Sequence, residues 1–528
     1  ALASLGLALL PPRTAARILS PLVSVLRVIL GKGWALALAI GGLWACAIVL
    51  GCSIIHVDLA HSAWLHVVGA ATILWVSLGC ILIVRTDTAR RARALAACMI
   101  SLVFLSVSLV ILEIALRINI GALPTALVSN LPQRGQAFFP FYDYDDEITV
   151  GYRYKPGVRL SQKLRSSDAT LYSTQADLIR PVRPDEDRIL SEASFTTDEN
   201  GYRNESPLHP HYPVAVSGDS FTSYSVEPRP WPKSLSEKLA APVLNLGLQG
   251  YGPQAAAEAL IKFGLPRKPR WLLLTWYEGN DLFDAQDYEK KRRSGLGWRE
   301  HAFKDLAILE RYLVCHAIRH GMDRLRSRKR SGSTSPREYP YPFTVELGGR
   351  NVELCFTPTY FSTLSIPEES VKSLACIPAF LGSFQHLQRS AEKAGARLIV
   401  VYIPTKEHCY APLLPRDLLE TKLGGARRPH VSPQGDLLSA STSPELLRAA
   451  DFLENMDGQR KALAGILARE GIDLLDLTAE FQEAAGRGEQ LYWSTDNHWA
   501  PAGHELAASI LARRLRQEGW TTGSGKGE

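Results

Sequence analysis

The sequence predicts a membrane-anchored α/β protein, with three transmembrane helices followed by a large domain on a short parallel sheet. Three observations carry that expectation. The first 117 residues contain three apolar stretches of bilayer length. From Val214 onward, short apolar runs alternate with helical stretches, as in a parallel sheet flanked by helices. The chain of 528 residues, 46% apolar, is too long for one ordinary domain and ample for a large core.

The expected spans are 33–55, 63–84 and 94–112, within a membrane region of residues 1–118. Gly33–Ile55 and Ala94–Leu112 carry no charge, and Ala63–Val84 has only His66 near one end. None shows the polar stripe of a soluble amphipathic helix. Orientation follows from the flanks. Arg13, Arg17, Arg27 and Lys32 precede the first span, and Arg85, Arg90, Arg91 and Arg93 fill the second loop. The loop His56–Ser62 has no Lys or Arg. The positive-inside rule places the N-terminus in the cytoplasm and everything after Arg117 beyond the inner membrane. The catalytic part is therefore expected in the periplasm or outside the cell. Residues 1–31 are left open between an interfacial helix and part of another span.

Charge is as uneven as hydropathy. Residues 1–117 hold 9 Lys/Arg and 3 Asp/Glu, leaving 50 of each for the remainder. A nucleic-acid binder would carry its basic footprint on the folded domain, so that class is excluded. Of eight cysteines, Cys46, Cys52, Cys80 and Cys98 lie in the expected spans. Cys315, Cys355, Cys376 and Cys409 have no zinc-like spacing, and an oxidising compartment leaves them open between free thiols and two disulfides, with three possible connectivities. No metal or other cofactor is expected.

Residues 119–212 read as an extracytoplasmic lead-in, with extended pieces at 136–157 and 194–203 and turns at Pro156-Gly157 and Asn200-Gly201. A domain at 213–516 follows. Its strand candidates are Val214–Val216, Val243–Leu246, Trp271–Trp276, Arg397–Ile403 and Ile472–Leu475. Its helix candidates are Pro232–Leu239, Pro253–Phe263, Ile377–Ala394, Gln459–Glu470 and Pro501–Arg516. Two insertions interrupt it. Residues 285–375 hold the basic clusters Lys290–Arg293 and Arg324–Arg330 and a hairpin around Gly348-Gly349. Residues 415–450 are Pro/Ser-rich and loop-like. Residues 517–528 read as a disordered tail.

Four constellations carry chemistry. Ser217-Gly218-Asp219-Ser220-Phe221 follows the first strand directly, so a tight turn projects the Ser220 hydroxyl where open α/β sheets bind ligands. Asn245-Leu-Gly247-Leu-Gln-Gly250 follows the second strand and offers the unshielded N–H of Gly250 to a developing oxyanion. Gly279-Asn280-Asp281 follows the third and offers the Asn280 amide. Asp496-Asn497-His498-Trp499 precedes the last helix, and residues two apart in an extended loop share a face. A serine hydroxyl needs a histidine to take its proton, and that histidine needs an acid to hold its tautomer.

In this order the four blocks resemble the SGNH (GDSL-type) hydrolase superfamily, over roughly residues 213–516. Ser220, Gly250, Asn280 and His498 match its catalytic Ser, oxyanion Gly, oxyanion Asn and catalytic His, with Asp496 in the place of the acid. The resemblance implies a three-layer α/β/α, flavodoxin-like domain with a short parallel sheet. Gly201–Arg203 before the serine block and Pro501–Gly503 after the histidine look like membrane-anchored bacterial members. One departure stands out. The last block usually separates Asp and His by two residues, and here only Asn497 lies between. The Asp-x-His-Trp form looks like alginate O-acetyltransferase-like proteins, although those place the pair differently along the chain. His504 is the fallback base.

The resemblance implies a serine esterase or O-acyltransferase acting on acyl, above all O-acetyl, esters of envelope or secreted polysaccharide. Its partners would be membrane lipid around the spans, the acylated carbohydrate and, for a transferase, a polytopic acyl-donor protein. Trp276, Tyr277, Trp493 and Trp499 crowd the strand ends and are candidates for a sugar platform. The rival expectation is an SGNH fold kept as a non-catalytic subunit of a membrane complex.

Overall fold

The computed structural model describes residues 107–115, 142–145, 150–165, 188–224, 226–294, 343–438, 443 and 445–520. The spans expected at 33–55 and 63–84, most of 94–112, and residues 1–31 lie outside them. So do Cys315 and the basic cluster Arg324–Arg330. Among the described residues no helix is long and apolar enough to cross a membrane. The chain divides into two units, Ala1–Asn119 with Asp305–Met322, and Ile120–Lys304 with Asp323–Glu528. The first is described only by a helix at 107–115, on which Val110, Ile111 and Leu112 are exposed. The second carries all that follows.

It opens with two antiparallel hairpins. β1 (Tyr142–Asp145) pairs with β2 (Gly151–Tyr154), and β3 (Arg159–Arg165) with β4 (Ile189–Thr196). The turns expected at Pro156-Gly157 and Asn200-Gly201 are present. The central sheet then takes β5 (Val214–Ser217), β6 (Val243–Asn245) and β7 (Trp271–Tyr277). After the hairpin β8 (Phe343–Leu347) and β9 (Arg350–Leu354), turning at Gly348-Gly349, it adds β10 (Arg397–Ile403). A short pair, β11 (His430–Val431) with β12 (Leu437–Leu438), precedes its last strand, β13 (Asp473–Asp476).

The sheet order is β6-β5-β7-β10-β13, and every pairing in it is parallel. The chain reverses its direction of growth beside β5. At such a switch point the loops after neighbouring strands diverge and open a crevice at the carboxyl edge.

Thirteen helices are used below, labelled in chain order. α1 (Ser220–Ser223), α2 (Trp231–Leu239), α3 (Pro253–Ala259) and α4 (Asp281–Ser294) follow the first three sheet strands. α5 (Pro358–Leu364), α6 (Glu368–Lys372) and α7 (Ile377–Lys393) lead into β10. α8 (Lys406–Tyr410), α9 (Arg416–Lys422), α10 (Ala449–Asn455) and α11 (Gly458–Arg469) separate it from β13. α12 (Thr478–Gly486) and α13 (Pro501–Gln517) complete the domain.

Strand side chains alternate between two cores, the period of two that a doubly covered sheet demands. Along β7, Leu272, Leu274 and Trp276 meet Ala256 of α3 and Phe380 and Phe384 of α7 on one face. Trp271, Leu273 and Tyr277 meet Leu235 of α2, Phe481 of α12 and Leu511 of α13 on the other. This is the three-layer arrangement expected, with β10 at its expected bounds.

Several expectations need correction. Residues 415–450 are not loop throughout, since α9 and the β11–β12 pair lie there. Within 285–375, α4 continues the preceding turn into a helix, and α5 and α6 fold before α7. Residues 517–520 are ordered, with Trp520 packed against the core beside α13, and the rest of the expected tail, 521–528, lies outside the described residues. Cys376 and Cys409 are free thiols, and two disulfides would need all four of Cys315, Cys355, Cys376 and Cys409, so that pair of bridges does not form. Cys376 is buried in one core and Cys409 in the other, on opposite faces of the sheet, where no bridge can join them.

Candidate active site

Ser220 is the first residue of α1, three positions past the end of β5. Asp219 caps that helix, its Oδ1 accepting from Phe221 N–H at 2.9 Å. Burial pushes the Asp219 carboxyl up to about 6. Gly218 is required by close approach, because a Cβ there would lie 1.6 Å from Thr275 Oγ1 on β7. Thr275 in turn meets Thr222 of α1 hydroxyl to hydroxyl at 2.9 Å. The turn therefore lies flat on the sheet edge and leaves Ser220 half-buried.

A helix of four residues leaves its last carbonyls without helical partners. Arg203, from the lead-in, supplies partners at that end: its guanidinium donates to the carbonyls of Ser223 at 3.5 Å, of the capping Tyr224 and, just beyond the helix, of Glu227 at 2.6 Å. Burial lowers the Arg203 pKa to about 10. Asn204 ties the next strand in the same way, accepting from Asn245 N–H and donating to its carbonyl, both at 2.8 Å. The lead-in thus holds the serine block and the glycine block together.

The loop 493–498 is closed by a bridge between Tyr492 and Trp499 and by Trp493 N–H donating to the His498 carbonyl at 3.1 Å. Asp496 Oδ1 accepts from His498 N–H at 2.7 Å and meets His498 Nδ1 at 2.6 Å. This local turn lets an acid only two residues away reach the imidazole, so the loop bends where the sequence suggested an extended run. With a carboxylate on Nδ1, that nitrogen carries the proton and the Nε2 lone pair faces outward. Nε2 lies 2.7 Å from Ser220 Oγ. Burial pushes Asp496 up, but the charge and hydrogen bonds of His498, with Lys406 behind them, hold it below its ordinary value.

Tyr224 and Phe221 pack on the His498 ring, and Tyr224 also donates to Asp496 Oδ2. Beneath the loop, Lys406 Nζ donates to the carbonyls of Trp493, Ser494 and Asp496 at 3.0, 3.1 and 2.9 Å.

The two remaining blocks sit at the carboxyl ends of the strands flanking β5. Gly250 is the third residue of a turn closed by Tyr251 N–H on the Leu248 carbonyl, and its φ of +81° selects glycine. The preceding Gln249 carbonyl is held by Tyr152 Oη at 2.8 Å. Gly250 is exposed, and among the described residues its N–H has no partner. Leu248 N–H donates to the Gly218 carbonyl at 2.9 Å, joining this turn to the serine block. Asn280 Nδ2 donates to Asp284 Oδ2 at 2.6 Å, which fixes the amide and leaves it a second N–H. Its loop is anchored by Glu278, whose carboxylate accepts from Tyr402 Oη, Thr405 N–H and His408 Nδ1 at 2.6 to 3.0 Å.

Among the residues singled out from sequence, Ser220, His498 and Asp496 form one hydrogen-bonded line. Others fall elsewhere. His504 is not a second base: its Nδ1 accepts from Trp231 N–H at 3.3 Å, and burial, with His498 nearby, lowers its pKa to about 3. Trp276, Tyr277 and Trp499 are core residues, at most 2% exposed, and present no face to a sugar. Tyr277 and Trp499 pack on Phe221, and Trp276 on Phe380. Only Trp493 of the four is partly exposed. Lys406, Tyr224 and Asp284 were missed, since a single Lys, Tyr or Asp carries no spacing signal. Arg203 was visible only as part of Gly-Tyr-Arg.

Residues 438–528 match the family model described as SGNH hydrolase-like domain, acetyltransferase AlgX. That stretch holds Asp496 and His498 and bears out the resemblance read from the sequence. Among solved structures the chain is similar to a lipolytic protein of the G-D-S-L family from Desulfitobacterium hafniense DCB-2, at 12% identity over 57% of this chain and 98% of that one, TM-score 0.27. A catalytic mutant of an acetylxylan esterase from Geobacillus stearothermophilus matches at 11% over 60% and 97%, TM-score 0.26. A lipase/acylhydrolase from Enterococcus faecalis matches at 11% over 58% and 96%, TM-score 0.25. No curated protein matches. The second unit has an SGNH-like α/β fold with a parallel sheet.

Proposed function

We propose that this chain is a serine-dependent acyl-ester enzyme, an esterase or O-acyltransferase, acting on O-acetyl groups of an envelope or secreted polysaccharide. The observation that carries the reading is the continuous line Ser220 Oγ, His498 Nε2, His498 Nδ1, Asp496 Oδ1, with contacts of 2.7 and 2.6 Å. A half-buried hydroxyl, an imidazole of fixed tautomer and a buried carboxylate in that order are the groups that acyl transfer through a serine requires.

In this mechanism Ser220 Oγ attacks the ester carbonyl as His498 Nε2 takes its proton. The carbonyl oxygen becomes an oxyanion held by the N–H groups of Ser220 and Gly250 and the Asn280 amide. His498 returns the proton to the leaving sugar oxygen, and an acyl-Ser220 intermediate remains. Water or another sugar hydroxyl, deprotonated by the same imidazole, then releases the acyl group. Asp496 stabilises the imidazolium in both halves. Hydrolysis and transfer use the same residues and differ only in what reaches acyl-Ser220.

The location is part of the proposal. Three apolar stretches with arginine-rich cytoplasmic flanks support an inner-membrane anchor with this unit on the periplasmic side. As a transferase the chain would work beside a polytopic protein that brings the acyl donor across, because three spans are few for that task.

The test is hydrolysis of 4-nitrophenyl acetate by the detergent-solubilised full chain beside Ser220→Ala, with mass spectrometry for acylation of Ser220. Activity above Ser220→Ala, with acyl on Ser220, supports the reading. A folded protein that neither exceeds Ser220→Ala nor is acylated by the ester overturns it and favours the non-catalytic subunit.

A further inference from the structure

Lys406 opens α8, three residues after β10, and is only 1% exposed. Lysine is rarely buried, because taking an ammonium out of water is costly unless its hydrogens are all used. Here they are. An ammonium has three N–H donors, and three carbonyls, those of Trp493, Ser494 and Asp496, lie 2.9 to 3.1 Å from Nζ. A neutral amine has only two donors, so the arrangement requires the cation. Among the described residues Lys406 makes no ion pair, which leaves the backbone of this loop as its whole set of hydrogen-bond partners.

The loop needs such a partner. Between Tyr492 and Trp499 it runs through six residues with no helix or strand of its own. Backbone carbonyls turned into the protein must find donors, and no ladder supplies them here. One of the three carbonyls belongs to Asp496 itself. Fixing its peptide plane fixes the direction of the Asp496 side chain, and with it the turn that brings Oδ1 to the backbone N–H and the Nδ1 of His498.

We propose that Lys406 is a positioning residue for the Asp496–His498 pair, holding the loop in the one shape that aims His498 Nε2 at Ser220. The inference rests on the acyl-ester reading for its kinetic consequence, but its structural consequence can be read without any activity. Lys406 touches neither substrate nor the reacting atoms. Its loss leaves the oxyanion donors and the serine in place and moves the base.

The experiment compares the full chain with Lys406→Met and Lys406→Gln in ester hydrolysis and in the far-downfield proton NMR signal of His498 Nδ1–H, assigned by its loss in His498→Gln. A misplaced catalytic group typically costs about 100-fold. Lys406→Met is expected to lose at least that much in kcat, with KM within about threefold, and to lose the downfield signal. Lys406→Gln, which keeps two N–H donors, should fall between Met and wild type, and it carries both readouts alone if Lys406→Met does not fold. Wild-type kcat with the signal retained in a folded variant would overturn the proposal, as would a change confined to KM. If the wild type proves inactive on esters yet shows a downfield signal that Lys406→Met abolishes, the positioning stands and the acyl-ester reading falls. A signal that survives in the folded variant removes the positioning whatever the activity.

Discussion

The phenol ring of Tyr224 lies nearly parallel to the imidazole of His498, with 4.3 Å between centroids and 18° between planes, and its hydroxyl donates to Asp496 Oδ2 at 3.3 Å. One side chain, four residues beyond the serine, therefore touches both partners of the acid–base pair. The stack limits ring rotation, and the hydroxyl occupies the carboxylate oxygen that His498 leaves free. Tyr224→Phe keeps the stack and loses one bond to a charged acceptor, worth about 1.5 kcal/mol, or roughly tenfold in kcat. Tyr224→Ala loses both and should fall further. Ester kinetics on the two variants check the order, and equal activity in all three proteins would assign Tyr224 to packing alone.

Asn280 should matter in the transition state and little before it. Its amide is held by Asp284 with one N–H to spare, and removing one oxyanion donor typically costs about 10²- to 10³-fold in kcat. Asn280→Ala is expected in that range with KM nearly unchanged. A loss expressed mainly in KM would place the amide on the bound ester and not on the oxyanion.

Gly218 offers a test of the turn beneath the serine. A Cβ at this position meets Thr275 Oγ1 at 1.6 Å and Thr222 Oγ1 at 2.7 Å, and neither side chain has room to swing away inside the core. Gly218→Ala should destabilise the domain by about 1–3 kcal/mol, the usual range for overpacking. Denaturant unfolding measures it. Thr275→Ala in the same chain should recover part of the loss, since it removes the nearest atom.

A pH signature in stability should come from His408. Burial alone would lower its pKa, but Glu278 on Nδ1 and Asp457 beyond Nε2 raise it from 6.5 to about 9. A base whose folded pKa lies above its unfolded value contributes stability that is complete below pH 6.5. That contribution is lost as pH rises through about 9. Thermal unfolding of wild type against His408→Gln between these limits isolates it: the wild-type curve should fall more steeply with pH. Parallel curves would mean that His408 is neutral in the folded protein.

Much of this was legible because each chemical block is short, contiguous and attached to a strand end. Ser220, Gly250 and Asn280 follow β5, β6 and β7 within a few residues, and β10 is a run of apolar residues with unambiguous ends. The aromatic residues misled for the same reason. Trp276 and Tyr277 stand at a strand end in sequence, yet strand alternation turns them into the two cores, one on each face. The roles of Lys406 and Arg203 could not be read, because what defines them is the set of backbone carbonyls around them. Those carbonyls lie 87 to 90 residues away for Lys406 and 20 to 24 for Arg203. Backbone acceptors leave no trace in residue type.

The serine and its base are 278 residues apart along the chain, one at the end of the first sheet strand and the other just before the last helix. Synthesis proceeds from the N-terminus, so the nucleophile emerges long before the group that arms it. A nascent or prematurely ended chain that stops short of residue 498 carries an ordinary alcohol, whatever part of the sheet has formed. Completing the C-terminal loop is therefore the step that assembles the line from Ser220 through His498 to Asp496.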